Sequence, residues 1–157
     1  MLSQTFQAFP KNLEQVFIHF KRKTSCETNL LLLCLDKNEK LINCLLSQDT
    51  PEGVNFISFN KSPSTSPQFT DNTDIFVDLK RICDQTNICH LILAVEFKEK
   101  LPLNRAQDFR ISIHSFQEEP LFLYYFDFKK PKYPFPDRYL LIDIFKKEDD
   151  WFITTMQ

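Results

Sequence analysis

The chain has 157 residues, one domain on the usual size prior, and its 19 basic and 21 acidic side chains give a formal net charge of −2. Seventeen Phe exclude a disordered chain, and a single Gly excludes glycine-built phosphate cradles such as the P-loop and the dinucleotide fingerprint. The near-neutral charge leaves no nucleic-acid footprint, no apolar run approaches the ~18 residues of a membrane helix, and MLSQTFQAFPKNLEQ lacks the regions of a signal peptide, so a cytoplasmic protein is expected.

Short apolar-alternating runs recur at the spacing of an all-β sandwich. LEQVFIHFK comes first, with Leu13, Val16, Ile18 and Phe20 apolar. NLLLLCLD is continuously apolar from Leu30 to Leu35, as in a strand buried on both faces. Asp36 to Glu39 then closes a hairpin onto KLINCLLS, with Asn38 expected in the left-handed conformation. VNFISFN (Val54 to Asn60) alternates, and Lys61 to Asp74 is the most loop-like stretch. IFVDLKRI begins as a strand and turns helical near Leu79, and a second weak helical period runs over 139–145. ICHLILAVEF reads as a central strand, with Leu91, Leu93 and Val95 on one face. FRISIHSF points Phe109, Ile111 and Ile113 inward and pairs with PLFLYYFDF. KKPKYPFPDR holds three Pro and cannot be a central strand. RYLLIDIFKK and DWFITTM form the last pair, with Trp151 and Ile153 on one face. The expected fold is a two-sheet antiparallel β-sandwich with at most one or two short helices, in a single domain over 1–157.

Chemistry-bearing residues are scattered. The five Cys contain no CxxC pair, and Cys34 and Cys44 lie in apolar runs that read as core. His19 and His114 fall on solvent faces, and no nucleophile elbow accompanies them or His90. Asp143, Glu148, Asp149 and Asp150 flank the last turn. The basic–aromatic stretch Phe128 to Tyr139 can stack on single-stranded nucleic acid or pack as a rim loop, and the net charge favours packing. Glu27 and Asn29 precede one strand, and Asp71, Asn72, Thr73 and Asp74 precede another. Hard oxygens of this kind suit Ca²⁺. They also make turns, which residue physics alone favours.

Several pieces, in order, resemble the TerD-like domain of bacterial tellurium-resistance and stress proteins. They are NLLLLCLDKNEKL (29–41), NFISFNKSPSTSP (55–67), DNTDIFVDLKRI (71–82), CHLILAVEF (89–97), AQDFRISI (106–113), PLFLYYFDF (120–128) and LLIDIFKKEDDWFITTM (140–156). The resemblance runs from about residue 13 to the end. It implies a β-sandwich that binds Ca²⁺ at one end through acidic loops. It also implies a non-enzymatic role in tellurite, phage or chemical stress, and a core position for Trp151 in the closing hairpin.

The chain departs from the family where the metal would sit. Glu27-Thr28-Asn29 stands for the family's Asp-x-Asp, and Asp71, Asn72 and Thr73 stand where an acidic, glycine-rich loop would be. The Ca²⁺ ligands that the resemblance implies are therefore Glu27, Asn29, Asp71 and Asn72, and so few anions make a weak site. Three readings follow: a TerD-like stress module with a weakened or lost calcium site and protein partners, other TerD-like or stress proteins among them; a metal-free protein-interaction domain; and a hydrolase. The first places those four residues around one point. The hydrolase requires His and carboxylates converging in a hollow.

Overall fold

Alternation of apolar and polar residues drives most of this chain into strands that share one apolar layer. The computed structural model describes residues 6–23, 28–46, 56–62, 71–97, 108–117, 120–127 and 138–156. Within them lie β1 (Gln7–Ala8), β2 (Gln15–Lys23), β3 (Thr28–Leu35), β4 (Leu41–Leu46), β5 (Ile57–Ser62), β6 (Asp71–Asp78), α1 (Leu79–Gln85), β7 (His90–Phe97), β8 (Asp108–Ser115), β9 (Pro120–Asp127), β10 (Arg138–Lys147) and β11 (Asp150–Thr155). The strands form an antiparallel six-stranded sheet, β1-β11-β10-β7-β3-β4, and an antiparallel five-stranded sheet, β5-β6-β2-β8-β9. The two sheets pack face to face as an all-β sandwich.

The inner faces follow strand parity. Val16, Ile18 and Phe20 of β2 meet Ile75 and Val77 of β6 and Phe109, Ile111 and Ile113 of β8 in one buried cluster. Leu30, Leu32 and Cys34 of β3, Leu91, Leu93 and Val95 of β7, and Trp151 and Ile153 of β11 supply the opposite wall. Phe20 and Phe109 stack in that layer with ring centroids 5.7 Å apart. A bulge between Leu140 and Ile142 turns both Leu141 and Ile142 into the core. Cys34 is buried, and desolvation, with a smaller contribution from Cys44, pushes its thiol up to about 12, so it packs as a small hydrophobe. Cys44, expected beside it in the core, is exposed because β4 is an edge strand.

Three further expectations change. Asp71 to Asp74 are strand rather than loop, because β6 pairs with β2 along its whole length, Arg22 opposite Asp71 through Gln15 opposite Asp78. The helical period over 139–145 lies in β10, where pairing with β7 and β11 overrides it. The left-handed residue of the first hairpin is Glu39 (φ 62°) rather than Asn38. The Asp36 carboxylate accepts from the backbone N–H groups of both Asn38 and Lys40 and so sets that turn.

α1 is the one helix among the described residues, and Asp78 starts it. The Asp78 Oδ1 accepts from the Arg81 N–H at 3.0 Å, and its Oδ2 accepts from Gln15 Nε2 at 3.3 Å. A nearly buried carboxylate thus caps the helix and ties it to β2. Leu79 and Ile82, three residues apart, bury the inner face of the helix. Thr86 ends it, its hydroxyl donating to the Ile82 carbonyl at 2.7 Å.

The outer face of the six-stranded sheet is largely apolar, with Leu31, Ile92 and Ala94 buried on it. A polar pair lies there: His90 Nδ1 donates to Asp143 Oδ2 at 3.0 Å, beneath the Phe145 ring. Burial raises the Asp143 carboxyl above its ordinary 3.8, while the hydrogen bond and charge of His90 pull it back.

Three predictions follow from this packing. Trp151 is only 7% exposed, so Trp151→Ala should cost about 3–5 kcal/mol in urea unfolding. Glu39→Gly should raise stability by about 0.5–1 kcal/mol, since a left-handed residue without Cβ carries no steric penalty. For Asp143, a raised native value means the folded state holds the proton more tightly than the unfolded chain. Its contribution to stability is complete below pH 3.8 and is lost as pH rises through the native value. Asp143→Asn should therefore gain stability relative to wild type as pH rises from about 3 to about 6, and a flat difference would refute a buried carboxylate.

Candidate functional site

Of the four ligands expected for Ca²⁺, only Asn29 and Asn72 are described with their side chains, and these two stand on different outer faces. The starts of β3 and β6 lie at the same end of the sandwich. β2 ends there opposite Asp71, and only residues 24–27 separate β2 from β3, so the five steps from Lys23 to Thr28 span about 18 Å at most. Glu27 lies outside the described residues. Asp71 opens β6, opposite Arg22, and only its backbone is described. Parity divides the two asparagines. Asn29 alternates with buried Leu30 and shares the outer face of the six-stranded sheet with Glu96, its register partner. Asn72 alternates with buried Thr73 and faces outward from the five-stranded sheet. Packed sheets lie about 10 Å apart, and Ca²⁺ holds its oxygens at about 2.3–2.6 Å. One ion cannot take both side chains. Among the described residues no group of three or more His, Cys, Asp or Glu is placed to hold a metal.

The richest assembly of side chains is the outer face of the five-stranded sheet. Three rows cross it, each set by strand register. The row nearest the β6 start carries Asn72, Lys21, Arg110 and Tyr125. The Arg110 guanidinium lies over the Tyr125 ring, 5.2 Å from its centroid. The Oδ1 of Asn72 is buried and without a hydrogen-bond partner.

The middle row carries Asp74, His19, Ser112 and Leu123. His19 Nδ1 donates to Asp74 Oδ1 at 2.5 Å, and both side chains stay more than a third exposed. His114 Nε2 shares a hydrogen bond with Ser112 Oγ at 3.1 Å, and its ring meets that of His19 edge to face at 4.7 Å. The third row carries Phe76, Phe17 and His114; Phe76 lies 5.2 Å from Phe17, which stacks at 6.2 Å with Phe116, just past the end of β8.

This face has the side chains of acyl-transfer chemistry in another order. A Ser–His–carboxylate relay needs the imidazole that bonds the serine to rest its second nitrogen on the carboxylate. Here Asp74 holds His19, while the serine's partner is His114. The row also stands on an open sheet face. Three hollows lie elsewhere on the described surface, lined by residues 10–15 with Ser115 and Phe116, by Asp36, Cys83, Cys89 and Lys146 with their neighbours, and by Phe9 with Lys80, Asp150 and Trp151. What the face offers chemically is a planar aromatic surface, two imidazoles and a cationic edge.

Its exposed apolar side chains are large. Phe116 is 62% exposed, Leu123 56% and Tyr125 62%. On the inner side of β9, Tyr124 is raised from its ordinary value by burial, whereas Tyr125 faces solvent. Parity in FRISIHSF locates Arg110, Ser112 and His114 on this face. The His19–Asp74 bond joins residues 55 apart in sequence, and only the β2–β6 register brings them together.

Comparison with known proteins adds the fold. No family model matches the chain, and no curated protein matches it. The crystal structure of a protein of unknown function, SAV2460, is similar over 92% of this chain and 91% of that one, at 9% sequence identity and a TM-score of 0.60. That likeness is one of architecture.

Proposed function

We propose that this chain is a non-enzymatic, TerD-like stress-response module that binds a protein partner in the cytoplasm, with no working calcium site. The observation that carries this reading is the outer face of the five-stranded sheet. Phe116, Leu123 and Tyr125 are exposed there beside Arg110, His19 and His114. Aromatic residues and Arg are the types enriched at protein interfaces, and large exposed apolar side chains grouped on one face mark binding sites. Two further points support it. The described parts of the pieces that resemble the TerD-like domain fall mostly on strands, and a two-sheet sandwich is the fold that the resemblance implies. The opposed directions of Asn29 and Asn72 favour the metal-free form of that family over the calcium-binding form. Partners from the same stress system, other TerD-like proteins among them, fit a face of this composition.

Two measurements test it. Thermal melts of wild type and Asp71→Ala, each in millimolar Ca²⁺ and in chelator, should give four equal melting temperatures. A working site would instead stabilise wild type by about 1.4 kcal/mol at tenfold excess over Kd, and Asp71→Ala would lose that gain. The variant Phe116→Ser/Tyr125→Ser should melt with the wild type, because both rings are exposed, and should lose at least about tenfold in affinity for a partner identified by cross-linking to wild type. A partner held equally well by the variant would remove the face from the proposal.

A further inference from the structure

On the outer face of the five-stranded sheet, we propose that His19 and His114 form a two-imidazole site for a divalent transition-metal ion of the Zn²⁺ and Cu²⁺ class. Register brings the pair together. His19 lies opposite Ser112 across the β2–β8 ladder, and His114 is the next residue of β8 on the same face. Diagonal neighbours of this kind stand about 7–8 Å apart, still within reach of aromatic rings. The two rings meet, with centroids 4.7 Å apart.

That spacing suits one ion. A metal lies about 2.0–2.1 Å from the imidazole nitrogen that binds it, and so about 3.2 Å from the centre of the ring. Two rings set at about 90–110° around one ion then have centres about 4.5–5.2 Å apart. The ring planes of His19 and His114 are inclined at 70°. They differ from a chelating pair by rotation about χ2, which is a broad torsion in histidine.

Among the described residues, hydrogen bonding engages one nitrogen of each ring. His19 Nδ1 donates to Asp74, so its Nε2 carries the lone pair. His114 Nε2 bonds Ser112 Oγ, which leaves Nδ1 for a metal. A carboxylate on the far nitrogen is the usual support of a metal-binding histidine: it fixes the tautomer and the direction of the ring and makes the free nitrogen more basic. Phe17 is a second support, stacked on His19 at 6.4 Å with planes within 10°. Side-chain exposures of 35% at His19 and 39% at Asp74 give an ion access.

Donor chemistry selects the ion. Neutral imidazoles suit Zn²⁺ and Cu²⁺, whereas Ca²⁺ takes six to eight oxygens. Among the described residues no third protein ligand joins the pair, so water completes the shell. Asp74 brings a negative charge to the site, and Lys21 and Arg110, one row away, oppose a cation and keep its binding weak. His90 stands on the other sheet, paired with Asp143 and 18% exposed, and serves as an internal control. The site goes beyond the partner-binding reading and needs no protein partner, so failure of that reading leaves it standing.

The test is a Zn²⁺ titration of the full chain labelled with ¹⁵N at histidine, followed through the imidazole nitrogen signals. His19 Nε2 and His114 Nδ1 should shift together along one binding curve, while His90 stays in place. Ca²⁺ should move none of them. His114→Gln should keep the wild-type melting temperature and weaken the His19 curve by at least about tenfold, and Asp74→Asn should weaken both curves by about tenfold through the lost support. Imidazole signals that stay in place in millimolar Zn²⁺ overturn the proposal. So does a His19 curve unchanged in His114→Gln, because each ring then binds by itself.

Discussion

The apolar layer between the two sheets is the interaction on which the rest of the molecule depends. Phe20 and Phe109 stack within it, and Val16, Ile18, Ile75, Val77, Leu91, Leu93, Ile111 and Ile113 are wholly buried around them. Each fully buried Val, Leu, Ile or Phe stabilises the fold by about 1.5–3 kcal/mol relative to its exposed state. A one-residue slip in any of these strands would carry its whole inward set to solvent. Register is thereby specified, and register also decides what stands on the outer faces. The His19–Asp74 pair and the row that contains it exist because β2 and β6 cannot slide without exposing Ile18 and Ile75.

A chain with a single glycine, Gly53, must turn by other means. Asn12, Glu39 and Glu148 take positive φ values of 68°, 62° and 56°. Asp36 compensates at one of these turns by accepting two backbone N–H groups. Asp78 has a similar task at the β6–α1 junction, where one carboxylate caps the helix and accepts from Gln15. Polar side chains thus supply, by hydrogen bonding, the backbone control that glycine supplies by lacking a Cβ. Both Asp36 and Asp78 are engaged with backbone.

The two outer faces have different characters. The six-stranded sheet turns out Leu31, Leu33, Ile92 and Phe145, with the polar pairs His90–Asp143 and Asn29–Glu96 among them. The five-stranded sheet turns out aromatic, imidazole and cationic side chains that remain accessible. A carboxylate on the first face is desolvated and its proton held more tightly, whereas Asp74 on the second keeps contact with water. Accessible polar and aromatic groups suit a surface that exchanges partners. Edge strands add a third kind of surface, governed by backbone hydrogen bonds rather than side chains.

Period-two alternation is a local property, so the chain alone determined the fold class, nearly every strand and the face of most side chains. The inward set Phe109, Ile111 and Ile113, the outward His19 and His114, the three hairpins and the shared face of Trp151 and Ile153 all follow from it. Pairing between distant strands is not local, and only the tertiary structure decided it. It made Asp71 to Asp74 a strand, put Cys44 on an edge, and joined Asp74 to His19 and Asp143 to His90. It also separated Asn29 from Asn72. Sequence order could set both at the starts of neighbouring strands, but which outer face each one occupies depends on which sheet its strand joins. That choice rests on long-range burial, which no short window of residues contains.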